Sequence, residues 1–172
     1  MLTFFVTLGV VLIDQLTKML AVADIKPKGS IPLLKFGDTE WLNLTYCENT
    51  GMSFSLLEGQ RAILIIIPIL LIISVEWFIF SGKLKRTDLI VALAALAGGG
   101  LGNLIDRVFL GYVVDFIDVR IINFAIFNFA DICAVCGGIY FGVVMVIEEL
   151  KEDKRKKSGT SAQTETGSDE QT

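Results

Sequence analysis

Four stretches of about twenty mostly apolar residues constrain this chain more than any other feature in it. A helix of that length crosses the roughly 30 Å hydrocarbon core of a bilayer, where each backbone N–H and C=O must be bonded within its own segment. The stretches cover residues 2–23, 62–81, 89–110 and 130–150. Composition agrees: 53% of the 172 residues are hydrophobic, more than a soluble domain of this size carries. The expected fold is an α-helical membrane protein with four transmembrane helices. The first span has no basic leader and carries Asp14 and Lys18 within it, so it reads as a retained helix, not a removed signal peptide.

Basic residues set the expected orientation. Lys83, Lys85 and Arg86 lie between spans two and three, and Lys151, Lys154, Arg155, Lys156 and Lys157 follow span four. Both groups belong on the cytoplasmic side, which puts both termini inside and turns the loops 24–61 and 111–129 outward. Residues 1–150 then form one membrane domain. Residues 151–172 form a basic and then polar tail, and from 158 onward it lacks the apolar surface to offset its chain entropy, so disorder is expected there.

The first outward loop carries strand signals. Trp41-Leu42-Asn43-Leu44-Thr45-Tyr46-Cys47 alternates, with Leu42, Leu44 and Tyr46 on one face, and 31–36 is a weaker candidate entered through Pro32. Trp41 and Tyr46 suit the interfacial aromatic belt. A short amphipathic turn is expected over 53–60, with Phe54, Leu56 and Leu57 toward the bilayer. A small sheet resting on the outer leaflet follows.

The chain contains no histidine. That removes the common catalytic zinc sites, Ser-His-Asp triads and Cys-His dyads. Cys47, Cys133 and Cys136 make no even-numbered disulfide framework, and Cys133-x-x-Cys136 inside a span reads as packing. The net charge of −4 gives no field that favours nucleic acid. No metal or cofactor is expected.

Polar residues nevertheless gather at one depth. Asp14 and Lys18 stand one turn apart in span one, where a structural ion pair is the plainer reading. Asn103, Asp106 and Arg107 end span three, with Asp106-Arg107 a candidate interfacial ion pair. Asp115 follows, Asn128 and Asp131 open span four with Asn128 placed to cap it, and Asn49 comes from the outward loop. Gly98, Gly99, Gly100 and Gly102 permit close helix packing. Asp118 and Arg120 read as solvated loop charges. Asn43-Leu44-Thr45 matches a glycosylation sequon, a weak three-residue signal.

Asp115 and Asp131 resist a purely structural reading. Carboxylates near hydrocarbon are costly and usually functional. Two of them within hydrogen-bond reach cannot both ionise, so the pair would hold one proton and could activate water while polarising a carbonyl. That is aspartic-protease chemistry, and it needs neither histidine nor metal.

Several blocks occur in an order that resembles the bacterial lipoprotein signal peptidases (signal peptidase II). They are Asp14-Gln15-Leu16-Thr17-Lys18, Asn49-x-Gly51-x-x-Phe54, the glycine-rich run ending at Asn103 and Asp106-Arg107, Val113-Val114-Asp115-Phe116, and Asn128-x-Ala130-Asp131. The resemblance runs from Met1 to about Leu150. It implies a four-helix membrane aspartic peptidase with a small extracytoplasmic β-cradle, in the bacterial cell membrane. The implied substrates are prolipoproteins with a diacylglyceryl-modified cysteine, cut just before that residue. It implies Asp115 and Asp131 as the catalytic dyad, with Asn49, Asn103, Arg107 and Asn128 lining the site. Asp14 would support the architecture, together with Lys18. Inhibition by globomycin-type lipopeptides is implied as well, and a monomer is expected. Ala125, Ile132 and Met52-Ser53 depart from the family's usual residues, which touches substrate preference more than activity.

Two other classes fit parts of the chain. A proton-coupled transporter or channel subunit would spread carboxylates through the bilayer depth, whereas only Glu76 lies deep on the inner half. A non-enzymatic assembly factor would tolerate the loss of either Asp115 or Asp131.

Overall fold

The structure, a computed structural model, describes residues 1–51, 60–122 and 124–166, with residues 153–166 described by backbone alone. Helix α1 spans Leu2–Leu20 and passes into a π-helical turn at Ala21–Ile25. Helices α2 (Arg61–Phe80), α3 (Thr87–Phe109) and α4 (Phe129–Thr166) follow, with strands β1 (Ser30–Phe36), β2 (Thr39–Asn49) and β3 (Val113–Val119) between them. Four segments are long and apolar enough to span a membrane: Leu2–Ile25, Arg61–Phe80, Thr87–Phe109 and Phe129–Glu152. Each begins and ends within two residues of the corresponding stretch read from the sequence.

Helix α3 is the hub. It packs against α1, α2 and α4, and it is the most buried of the four. In lipid no hydrophobic driving force holds helices together, so close contact between small residues has to do it. The glycine run in α3 supplies that contact on several sides. A Cβ built on Gly99 would lie 2.2 Å from the backbone carbonyl oxygen of Ala130 in α4, and one on Gly102 would lie 2.5 Å from Asp14 Oδ2 in α1. Away from this seam, Val75 and Ile79 of α2 pack with Leu93 and Ala97 of α3.

The three strands form an antiparallel sheet in the order β1-β2-β3. Its core is Val114 and Phe116 of β3 against Ala21 and Ile25 at the end of α1, with Leu44 and Tyr46 of β2 joining them. The predicted alternation of β2 is only half right. Leu44 and Tyr46 face this core, but the opposite face is not left to water, because Asn43 is 1% exposed.

Three sequence expectations need correction. The loop 111–129 contains β3, which sequence patterning missed because Val113 to Phe116 are all buried, so no period of two shows through. Asp118 is not a solvated loop charge. It is buried in β3, where it accepts hydrogen bonds from Thr45 Oγ1 at 2.7 Å and Arg120 Nε at 3.0 Å. Arg120 in turn reaches Glu40 at 2.9 Å. Helix α4 continues past the end of the fourth span at Glu152 and runs to Thr166 in its backbone. The third correction concerns Asp106 and belongs with the site. The amphipathic turn expected over 53–60 lies almost wholly outside the described residues.

Candidate active site

The end of the bundle that carries the sheet holds a continuous polar network, which begins at the start of α4. Asn128 precedes the helix and Asp131 is its third residue. Asn128 Oδ1 accepts from the Asp131 backbone N–H at 3.0 Å, and Asp131 Oδ2 accepts from the Asn128 backbone N–H at 3.0 Å. This is a capping box built from Asn and Asp, and it fixes the Asp131 rotamer within the first helical turn, where a carboxylate is favoured.

The Asn128 side chain does more than cap. Its Nδ2 donates to Asp115 Oδ1 at 2.6 Å and to Asn103 Oδ1 at 3.0 Å. Asn103 Nδ2 donates to Asp131 Oδ1 at 2.8 Å. Asp115 Oδ2 accepts from Asn49 Nδ2 at 2.8 Å. Each of the four carboxylate oxygens of Asp115 and Asp131 therefore has one fixed donor. Asn128, wholly buried, touches both acids at once.

Behind this layer lies a buried ion cluster. Lys18 Nζ contacts Asp14 Oδ2 at 2.8 Å, Asp106 Oδ2 at 3.0 Å and Asn103 Oδ1 at 2.9 Å, which uses all three ammonium protons. Asp14 Oδ1 accepts from the Ala130 backbone N–H at 3.1 Å, so it ties α1 to the first turn of α4. Asp106 was expected to pair with Arg107, and the structure pairs it with Lys18. The reason is helical geometry: adjacent residues diverge by about 100° around the axis, so Asp106 faces α1 while Arg107 is turned toward the cavity that Asp115 and Asp131 line. Asp106 Oδ2 also accepts from the Val114 backbone N–H at 3.1 Å, next to Asp115, and Oδ1 accepts from Gln15 Nε2 at 3.0 Å.

Asp115 and Asp131 line one cavity of about 240 Å³, together with Asn49, Asn103 and Arg107. Its apolar wall includes Ile67, Pro68 and Leu71 of α2. Arg107 Nη2 donates to the Gly51 carbonyl at 3.1 Å, while its buried Nε has no partner among the described residues. Arg107 also lies within electrostatic reach of both acids. Burial pushes the Asp115 carboxyl up to about 6, and the neighbouring Asp131 charge adds to this against the opposing hydrogen bonds from Asn49 and Asn128. A buried acid that titrates near neutrality, facing a second acid across a cavity, is equipped for proton transfer.

Asp14, Lys18, Asn49, Asn103, Asp115, Asn128 and Asp131 thus meet in one hydrogen-bonded network, and Arg107, the eighth residue singled out from the sequence, lines the same cavity. Sequence reasoning gave Asp106 a different partner and missed the contributions of Gln15 and the α2 wall. Pro68, a proline inside an otherwise apolar span, was the available signal for that wall. Arg61 was missed as well. It donates to the carbonyls of Arg107 at 3.1 Å and Val108 at 2.9 Å, capping the end of α3 from the start of α2. Two other features stay outside the site. Cys133 and Cys136 are free thiols, and Asn43 of the sequon-like triplet is buried with its Nδ2 donating to Glu40 and Ser30.

Fold and site together define a multi-span membrane protein with an acid-bearing cavity at one end of its bundle. The family model described as Signal peptidase (SPase) II matches residues 6–147, and the chain belongs to that family of membrane proteases. The lipoprotein signal peptidase of Caldanaerobacter subterraneus subsp. tengcongensis is 41% identical over 140 residues, covering 81% of this chain and 92% of its own. That of Halalkalibacterium halodurans is 36% identical over 160 residues, covering 92% and 99%. A solved bacterial membrane enzyme structure, obtained by the in meso method at 2.3 Å resolution, is similar with a TM-score of 0.72 at 32% identity, covering 90% of both chains.

Proposed function

We propose that this protein removes the signal peptide from prolipoproteins whose cysteine carries a diacylglyceryl group, cutting before that cysteine with Asp115 and Asp131 as the catalytic dyad. The observation that carries the reading is the shared cavity. Two carboxylates from different elements line it, Asn128 hydrogen-bonds both, and Arg107 has a buried Nε with no partner among the described residues beside them.

In this reading the pair holds one proton. The ionised carboxylate takes a proton from a water in the cavity as that water attacks the scissile carbonyl, and the protonated partner donates to the carbonyl oxygen. The tetrahedral intermediate then collapses: the C–N bond breaks, the proton gained from water passes to the leaving amine, and one hydroxyl of the intermediate returns its proton to the other carboxylate, which restores the singly protonated pair. Asn49, Asn103 and Asn128 keep both acids aimed into the cavity, and Arg107 holds a substrate backbone carbonyl. The apolar wall from α2 lies within a membrane span, where acyl chains can be buried at about 0.8 kcal/mol per methylene, enough for the lipid to dominate recognition.

The basic residues Lys83, Lys85 and Arg86 lie between α2 and α3, at the end of the bundle opposite the sheet. The positive-inside rule therefore puts the cavity at the extracytoplasmic face and both termini in the cytoplasm.

The decisive measurement is cleavage of a lipidated prolipoprotein by purified protein in detergent. Asp115→Asn and Asp131→Asn should each abolish turnover and leave a folded protein, and an unlipidated substrate should be cut far more slowly by the wild type. Wild-type rates in either variant would exclude the dyad.

A further inference from the structure

A second cavity, of about 540 Å³, lies between α1 and α3 at the sheet end of the bundle. It is on the reverse side of α3 from the dyad. Ile105 and Phe109 border it, whereas Asn103 and Arg107 border the dyad cavity, and residues two apart on a helix point in nearly opposite directions. Its upper walls are open, since Met19 is 69% exposed and Phe109 is 80% exposed. Both belong to membrane spans, so the groove opens sideways to acyl chains.

The floor is polar, made of Gln15, Lys18 and Asp106. Its hydrogen-bonding state restricts what can sit there. All three Lys18 protons are used by Asp14, Asp106 and Asn103. Gln15 Nε2 donates to Asp106 Oδ1 at 3.0 Å and to the Gly102 carbonyl at 3.2 Å. The donors are spent. Gln15 Oε1 accepts nothing among the described residues, so the floor offers an acceptor only. Two carboxylates surround one ammonium, which leaves the cluster one negative charge in excess.

An anionic head is therefore repelled and finds no free donor. An ammonium head would match the charge, but burying an ion beside apolar walls carries a heavy desolvation cost. A neutral hydroxyl costs least, because one hydrogen bond satisfies it. We propose that this groove binds a membrane glycerolipid with a free hydroxyl, one acyl chain lying along Met19, Val22, Ile105 and Phe109 while the hydroxyl donates to Gln15 Oε1. This lipid site is distinct from the proposed catalytic cavity and does not depend on the dyad assignment.

A monoacylglycerol with a photoreactive group in its chain tests the site on the full-length protein in detergent, with the fatty acid of the same chain as the anionic comparison. The monoacylglycerol should label segments 19–23 and 105–110, and the fatty acid should label them weakly. Ala23→Phe, which projects a ring into the groove, should cut labelling about tenfold, the effect of losing burial of roughly two methylene groups. Cleavage of lipidated prolipoprotein by this variant should stay at the wild-type rate, which also certifies its fold; Val22→Trp replaces it if it does not fold. Equal labelling by the fatty acid, or unchanged labelling in the filled variant, overturns the proposal.

Discussion

Asp115 shows at the scale of one residue how a site is tuned by burial. Its carboxyl titrates near 6 when folded, against an ordinary value of 3.8. Between these values the folded protein holds a proton that the unfolded chain has released. Folding is thus favoured by this group below about pH 3.8, and that contribution is lost as pH rises through 6, by up to about 3 kcal/mol at 1.36 kcal/mol per unit. Melting temperature in detergent should fall across that window, and the Asp115→Asn variant should lose that part of the slope. Identical slopes in both proteins would mean that Asp115 does not carry the proton.

Lys18 makes the opposite point, since its role is compensation. It is 3% exposed and lies between Asp14 and Asp106. Lys18→Met should destabilise by about 3–5 kcal/mol, because two buried carboxylates then lack a counter-charge. Urea or thermal unfolding in detergent measures it. A change below about 1 kcal/mol, as for an exposed ion pair, would refute that assignment.

Among elements, the contact of α3 with α4 matters most for the site. Asp131 and Asn128 reach the network only because α4 begins against the glycine face of α3. A methyl group at Gly99 would press on the Ala130 carbonyl, a backbone atom that cannot rotate away. Gly99→Ala should therefore cost about 1–3 kcal/mol or more and lower cleavage by moving the start of α4. Gly142→Ala, with nothing within 4 Å of the added carbon, is the matched control and should be neutral in both assays. Equal behaviour of the two variants would show that close approach at Gly99 is unimportant.

How much was legible in the sequence differs from element to element. The four spans were readable because hydropathy is a local sum over about twenty residues. Strand β2 was readable through its alternation, and β1 more faintly. Strand β3 was not, although it carries Asp115. It is covered on both faces, by the α1 end on one side and the polar network on the other, so its pattern has no exposed half.

At the scale of the whole molecule, the topology assembles one site from segments far apart in the chain. Lys18 and Asn103 are 85 positions apart, and Asp14 and Ala130 are 116 apart. The central α3 makes this possible, since it touches all three other helices and presents a different face to each. One face serves the acid cavity and another borders the second groove. Lys18, Asn103 and Asp106 run between the two, so the sites share a buried framework.

The amino-acid sequence alone determined that four segments are long and apolar enough to cross a bilayer, that polar residues collect toward one end of them, and which acids lack an obvious partner. These are properties of segment length and composition, and they survive any arrangement of the helices. Only the tertiary structure decided who bonds to whom: Asp106 to Lys18 and not to Arg107, Asn128 to both acids, and Asp118 to Thr45 in a buried strand. Those choices depend on which helix face meets which neighbour. That is set by side-chain packing between distant segments, on which local sequence carries no information.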